Sequence, residues 1–212
     1  MDDCRTLLIE GIAALNLSVD GQKIDQLLAF IKLIEKWNRA YNLTSIKNQQ
    51  DMVKLHLLDS LTVIPYLAAE RIIDIGTGAG LPGIPLAICL PDRFFTLLDS
   101  NSKKTRFVQQ AVLELKLANV QIVHNRSEDY QPGQMFDTVI TRAFAELSDI
   151  VATTKHLLAE NGKIIAMKGR CTESELAKIT AKKCVIPVQV PGVEAERTLV
   201  CIQFNHEPSA EI

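Results

Sequence analysis

Long hydrophobic runs are missing from this 212-residue chain: the longest, Ile84 to Leu90 (IPLAICL), holds seven residues, whereas a membrane span needs about 20. No membrane partner is expected. The first residues, MDDCRTLLIE, open acidic where a secretory leader opens basic, so the expected location is the cytoplasm. Paired cysteines are missing too. Cys4, Cys89, Cys171, Cys184 and Cys201 stand singly with no CxxC, which points to neither metal nor disulfides. Excess charge is absent as well: at a formal net charge of −2 the chain has no global attraction for nucleic acid, although residues 155–183 hold seven Lys/Arg against three Glu. That segment reads equally as a solvated face or as a phosphate-contacting patch. There is no repeat, and nothing calls for an obligate protein partner.

What is present is regular. The N-terminal third reads as helical: a first helix within Met1 to Leu17, a second over 22–41 with Ile24, Leu27, Leu28, Ile31, Ile34, Trp37 and Tyr41 on one face, and a third over 50–68 striped by Val53, Leu57, Leu61 and Ile64. From Arg71 the pattern alternates. Strands are expected at RIIDI (71–75), FFTLLD (94–99), VQIVH (120–124), DTVIT (137–141) and GKIIAMK (162–168). Helices are expected between them at 84–90, 102–117 and 147–160. A further helix (172–183) opens with a capping box, Thr172 with Glu175, and two last strands, CVIPVQV (184–190) and RTLVCIQF (197–204), pair as an antiparallel hairpin. The expected fold is therefore α/β, a doubly wound, mostly parallel seven-stranded Rossmann-like sheet with an N-terminal helical extension. Residues 1–69 form the extension, 70–205 the sheet domain, and 206–212 a disordered tail.

Within that frame, residues 72–84 (IIDIGTGAGLPGI) place Gly76, Gly78, Gly80 and Gly83 directly after a strand. A plain turn needs one or two glycines; four imply that something approaches the backbone closely. In open α/β sheets that something is a ligand lying beyond the carboxyl ends of the strands. A dinucleotide fingerprint, GxGxxG, requires glycine at 81, and Leu81 stands there. The run Asp74, Gly76, Gly78, Gly80 is instead the DxGxG of S-adenosylmethionine sites. Asp99, ending the second strand, can accept both hydroxyls of a ribose or can cap the next helix, and it suits either cofactor. Ser127 and Glu128, after the third strand, fall where an adenine would lie, and a plain surface loop reads almost as well. Arg142 ends the fourth, able to fork onto a carboxylate or phosphate of cofactor or substrate, or to sit in a surface ion pair.

NLTSI (42–46), KLHLLDSL (54–61), DIGTGAGLPGIPLAI (74–88), LLDSNSKKTRF (97–107), TRAF (141–144) and MKG (167–169), in this order, resemble the bacterial 16S ribosomal RNA guanine-N7 methyltransferase family RsmG, also called GidB. The resemblance runs from about Ile24 to Phe204. It implies methyl transfer from S-adenosylmethionine to N7 of a guanine, guanine 527, in 16S rRNA of the small ribosomal subunit, with cofactor contacts at Gly76, Leu81, Ser127, Glu128 and Arg142. Guanine N7 carries a lone pair and no proton, so in-line attack on the methyl needs no general base. Candidate RNA contacts are Lys103, Lys104, Arg106, Lys168, Arg170 and Arg197. With so little positive charge overall, an assembled ribosomal particle is a more natural substrate than naked RNA.

His56, Asp59 and Ser60 have the residue types of a hydrolase triad, but at i, i+3 and i+4 on one helix they project from one face, and a polar docking face is the simpler reading. Methylation of a small molecule or protein, non-catalytic ribosome binding, and nicotinamide oxidoreduction are the competing readings, and Leu81 counts against the last.

Overall fold

The computed structural model describes residues 2–68, 70–142 and 145–204. Helix α1 (Asp2–Ala14) and helix α2 (Gly21–Tyr41) open the chain; the Asp20 carboxylate caps α2 by accepting from Lys23 N at 2.9 Å, and Asn42 closes it in the left-handed region. The third expected helix is present but broken. Helix α3 (Gln49–Met52) passes into a π-helical stretch (Val53–Leu58) and then α4 (Asp59–Leu61), ending before a 3-10 turn at Ile64–Tyr66. Pro65 explains the early stop, since a helix cannot continue through an imide nitrogen.

A seven-stranded sheet follows: β1 (Arg71–Ile75), β2 (Phe94–Asp99), β3 (Val120–His124), β4 (Phe136–Arg142), β5 (Leu158–Lys168), β6 (Lys182–Val188) and β7 (Arg197–Gln203), in the spatial order β3-β2-β1-β4-β5-β7-β6. β7 runs antiparallel to both β5 and β6, and the remaining neighbours are parallel. Helices α5 (Gly83–Cys89), α6 (Ser102–Glu114), α7 (Leu147–Thr154) and α8 (Glu173–Ala177) fill the connections.

Three expected helices are shorter than their sequence pattern, α6 by only three residues, at Glu114. The one expected over 147–160 stops at Thr154, because Leu158 already pairs with Phe136 as β5. Gly162 then bends the strand so tightly that a Cβ would meet Ala159 O at 2.9 Å and Phe136 O at 3.0 Å. The helix expected over 172–183 is one short turn. Thr172 Oγ1 accepts from Glu175 N at 3.3 Å, but the Glu175 carboxylate is engaged by Lys168 and by Leu147 N, so only half of the capping box forms. From Lys182 the chain is drawn into pairing with β7.

Helices α1, α2, α5 and α6 cover one face of the sheet, α7 and α8 the other. The N-terminal helices share their core with the sheet: Leu27, Phe30 and Ile34 bury against Phe95, Leu97 and Phe107. The rings of Phe30 and Trp37 lie 6.4 and 6.1 Å from that of Phe107. Burying each such side chain stabilises the fold by roughly 1.5–3 kcal/mol, which holds residues 2–68 onto the sheet as a fixed wall. Ile73, Leu98, Val139 and Ile164 pack against Leu147, Ile150 and Ile179 on the far face. The tail 206–212 lies outside the described residues.

Candidate functional site

Strand order turns back between β1 and β4, so the crevice beyond their carboxyl ends is where this architecture places a ligand. The loop after β1 enters it. Gly76 N and Thr77 N donate to Leu98 O at 2.9 and 3.1 Å, and Gly78 N donates to Asp99 Oδ2 at 2.9 Å. Gly78 has φ +59°, and a Cβ there would find only Gly76 O at 3.8 Å and Lys104 Nζ at 4.0 Å. The loop tip therefore fronts open space that any side chain would fill.

Asp74 lies beneath this loop and not in the crevice. It is 1% exposed, and its Oδ2 accepts from Thr77 Oγ1 at 2.7 Å and Gly83 N at 2.9 Å. Gly83 leaves room for that carboxylate: a Cβ would come to 2.8 Å from Asp74 Oδ2 and 2.1 Å from Leu97 Cδ2. Burial pushes the Asp74 pKa up to about 7, against the lowering pull of its bonds to Thr77 and Gly83. Through these bonds Asp74 braces the loop from below. Leu81 likewise buries its side chain in the core, 3% exposed, while its amide bonds back to Thr77 O at 2.8 Å.

Asp99 sits at the crevice edge with one donor on each oxygen, Gly78 N on Oδ2 and Asn101 N on Oδ1 at 2.8 Å. Each oxygen keeps a second lone pair. It is not the cap of α6: Asn101 does that, accepting from Lys103 N and Lys104 N. Ser127 and Glu128 lie together on a turn after β3, joined by a 3.1 Å hydrogen bond.

Arg142, ending β4, borders a cleft of about 370 Å³. Leu55, His56 and Asp59 wall it on one side, with Thr44 and Ile46 from the segment after α2. Met167, Lys168, Val188, Arg197 and Leu199 come from the sheet edge. Arg142 Nη1 donates to Leu55 O at 3.1 Å and approaches Asp59 Oδ2 at 3.5 Å; Arg197 Nε donates to Asp59 Oδ1 at 3.0 Å. Buried His56, 5% exposed, bonds Thr44 Oγ1 through Nε2 at 3.0 Å. Burial, and secondarily the charge of Arg142, lower its pKa to about 4, so the ring is neutral at pH 7. No hydrolase triad forms, since Ser60 Oγ donates to His56 O and Asp59 faces the arginines. The docking reading of these residues fits the geometry.

The expected RNA contacts divide. Lys103, Arg106 and Arg170 are exposed, and Lys104 reaches the loop tip. Lys168 is the most enclosed of them: its side chain is 11% exposed, ion-paired to Glu175 and donating to Ala145 O, while the residue lines the cleft. Arg197 is half-buried on Asp59. The parts the sequence reading missed are Thr44 and the joining of Asp59 to two arginines. NLTSI, on whose fold Thr44 depends through paired bonds with Asn38, was the only local signal. Among the described residues no helix is long and apolar enough to cross a membrane, and no group of three or more His, Cys, Asp or Glu could hold a metal.

The family profile described as rRNA small subunit methyltransferase G (GidB) matches residues 23–200. The chain is 47% identical over 198 residues, 92% of each chain, to a ribosomal RNA small subunit methyltransferase G of Marinobacter nauticus. It is also 47% identical, over 96% of each chain, to that of Legionella pneumophila. Among solved structures, the magnesium protoporphyrin IX methyltransferase of Synechocystis PCC 6803 with bound SAM superimposes with a TM-score of 0.58 at 19% identity, over 87% of this chain and 98% of that one, which supports the shared fold.

Proposed function

The chain belongs to the rRNA small subunit methyltransferase G family, and from that premise we propose that it transfers a methyl group from S-adenosylmethionine to N7 of a guanine in small-subunit ribosomal RNA. The observation carrying this reading is the loop tip at Gly78, whose open front and bond to Asp99 form a cradle beside an arginine-bordered cleft. The residues present fit the cofactor. Backbone at Gly78 leaves space for its methionine part, Asp99 has lone pairs for ribose hydroxyls, and Ser127 with Glu128 offers polar groups at the adenine end. When bound there, the cofactor supplies an electrophilic methyl on a sulfonium.

The chain's own part is placement. N7 brings its own lone pair, so it suits the reaction that Asp59, the one carboxylate among the described residues lining the cleft, is paired to two arginines and that burial makes His56 a weak base. The cleft beside Arg142 receives the guanine, its apolar walls Ile46, Met167 and Leu199 excluding water. Holding nucleophile, methyl and leaving sulfur in line is worth up to about 7–11 kcal/mol in well-ordered cases. Exposed Lys103, Arg106 and Arg170 contact phosphate around the opening, and the N-terminal region walls the cleft through residues 44–62. The target is the guanine to which the resemblance points, presented by the assembled subunit in the cytoplasm.

Small subunits from cells lacking this activity, incubated with the protein and methyl-labelled S-adenosylmethionine, are expected to take label into their RNA. Label in subunit protein, or none with the cofactor bound, would reject the reading.

A further inference from the structure

We propose that Asp59 is a positioning residue, holding the guanidiniums of Arg142 and Arg197 side by side as a seat for an RNA phosphodiester next to the target guanine. This rests on the function proposed above.

Three elements distant in sequence meet at this point. Asp59 begins α4, Arg142 ends β4 and Arg197 begins β7. The carboxylate is nearly buried, with an 8% exposed side chain, while the arginines are 28% and 26% exposed and face the cleft. Each carboxylate oxygen takes one arginine. Each guanidinium is also anchored on a carbonyl, Arg142 Nη1 on Leu55 O and Arg197 Nη1 on Glu196 O at 2.9 Å. Among the described residues, no partner engages Nη2 of either arginine. Arg142 is thus held through Nη1 and Arg197 through Nε and Nη1, which leaves Nη2 of each to donate to phosphate oxygens.

Charge agrees with one phosphodiester. Asp59 cancels one arginine, Glu175 cancels Lys168 and His56 is neutral, which leaves one positive charge at the cleft. Without Asp59 the two guanidiniums would repel each other and lose their common plane of approach. The π-helical stretch Val53–Leu58 bears on this directly: one wide turn changes the facing of every residue after it and lets Asp59 follow buried Leu57 and Leu58 yet point to the sheet edge.

A purely structural staple between α4 and the sheet would look alike at rest, and a seat for the carboxylate of the cofactor would use the same chemistry. Kinetics separate them. For Asp59→Asn we expect the KM for small ribosomal subunits to rise about 10- to 100-fold, the value of a charge-assisted bond or two, with cofactor Kd within about twofold of wild type. Arg197→Lys keeps the charge and Asp59 but loses the fork, so it should shift KM the same way even if Asp59→Asn folds poorly. The double variant should be no worse than the worse single one, because both break one unit. Unchanged subunit KM in Arg197→Lys would reduce Asp59 to a staple, and a fall in cofactor affinity matching the loss would give the seat to the cofactor. Wild-type protein that labels no subunit RNA would instead reject the underlying function.

Discussion

The amide of Gly78 donates to Oδ2 of Asp99 at 2.9 Å, so the loop after β1 and the end of β2 hold one another in place. One carboxylate shapes the cradle and offers the acceptor for a ribose. Asp99→Asn keeps the size but replaces an acceptor with an amide donor facing Gly78 N. Cofactor affinity, read by calorimetry, should fall at least about tenfold; full affinity would remove Asp99 from the site.

Two glycines five residues apart, Gly78 and Gly83, should respond differently to the same methyl group. Gly83→Ala drives a Cβ into Leu97 and Asp74, an overpacking that costs about 1–3 kcal/mol and lowers the melting temperature. Gly78→Ala meets no protein atom nearer than 3.8 Å, so its folding cost is only the about 1–2 kcal/mol of left-handed strain. Its main effect is predicted on cofactor Kd, because the added atom occupies the cradle. Equal Kd for wild type and Gly78→Ala would contradict that placement.

Two buried groups oppose one another in acid. The His56 pKa is held down to about 4 from 6.5, so the unfolded chain binds the extra proton there and stability falls as pH drops through that window. Asp74 is raised from 3.8 to about 7, so the folded state binds the proton first and stability rises as pH drops from about 7 to 4. In the wild type the two trends offset across most of this range. Asp74→Asn should unmask the loss on acidification, and His56→Gln the gain, each by a few kcal/mol over the range. Urea unfolding of both variants between pH 4 and 7 checks this; parallel slopes would refute it.

Lys103 and Arg106 lie exposed on α6, with no ion pair among the described residues. Replacing both by Ala is expected to raise the subunit KM without changing cofactor Kd. The dependence of subunit binding on salt should become shallower by roughly 0.7–0.9 per charge removed. An unchanged salt slope would place the RNA elsewhere.

Much of the fold was legible because its signals are local. The glycine loop, the order of strands and the final hairpin follow from alternation and turn residues. What was illegible depends on distant partners. The helix expected to reach Lys183 gives way to strand pairing with β7, and Glu175 leaves its capping role for Lys168. The ion pair of Lys168 was hidden because the sequence does not show Glu175 folding back over it. The bracing of the loop by Asp74 was hidden as well, since it depends on Thr77 and Gly83 folding back over the carboxylate. The meeting of Asp59 with Arg197 spans 138 residues, and no periodicity reports such a pairing.

The most direct test of the central claim is to locate the methyl group. Small-subunit RNA labelled by this protein would be reduced and cleaved at N7-methylguanine, and the ends mapped. One cleavage, at the guanine to which the family resemblance points, is the predicted result. Label without cleavage would place the methyl on another atom and contradict the proposed reaction.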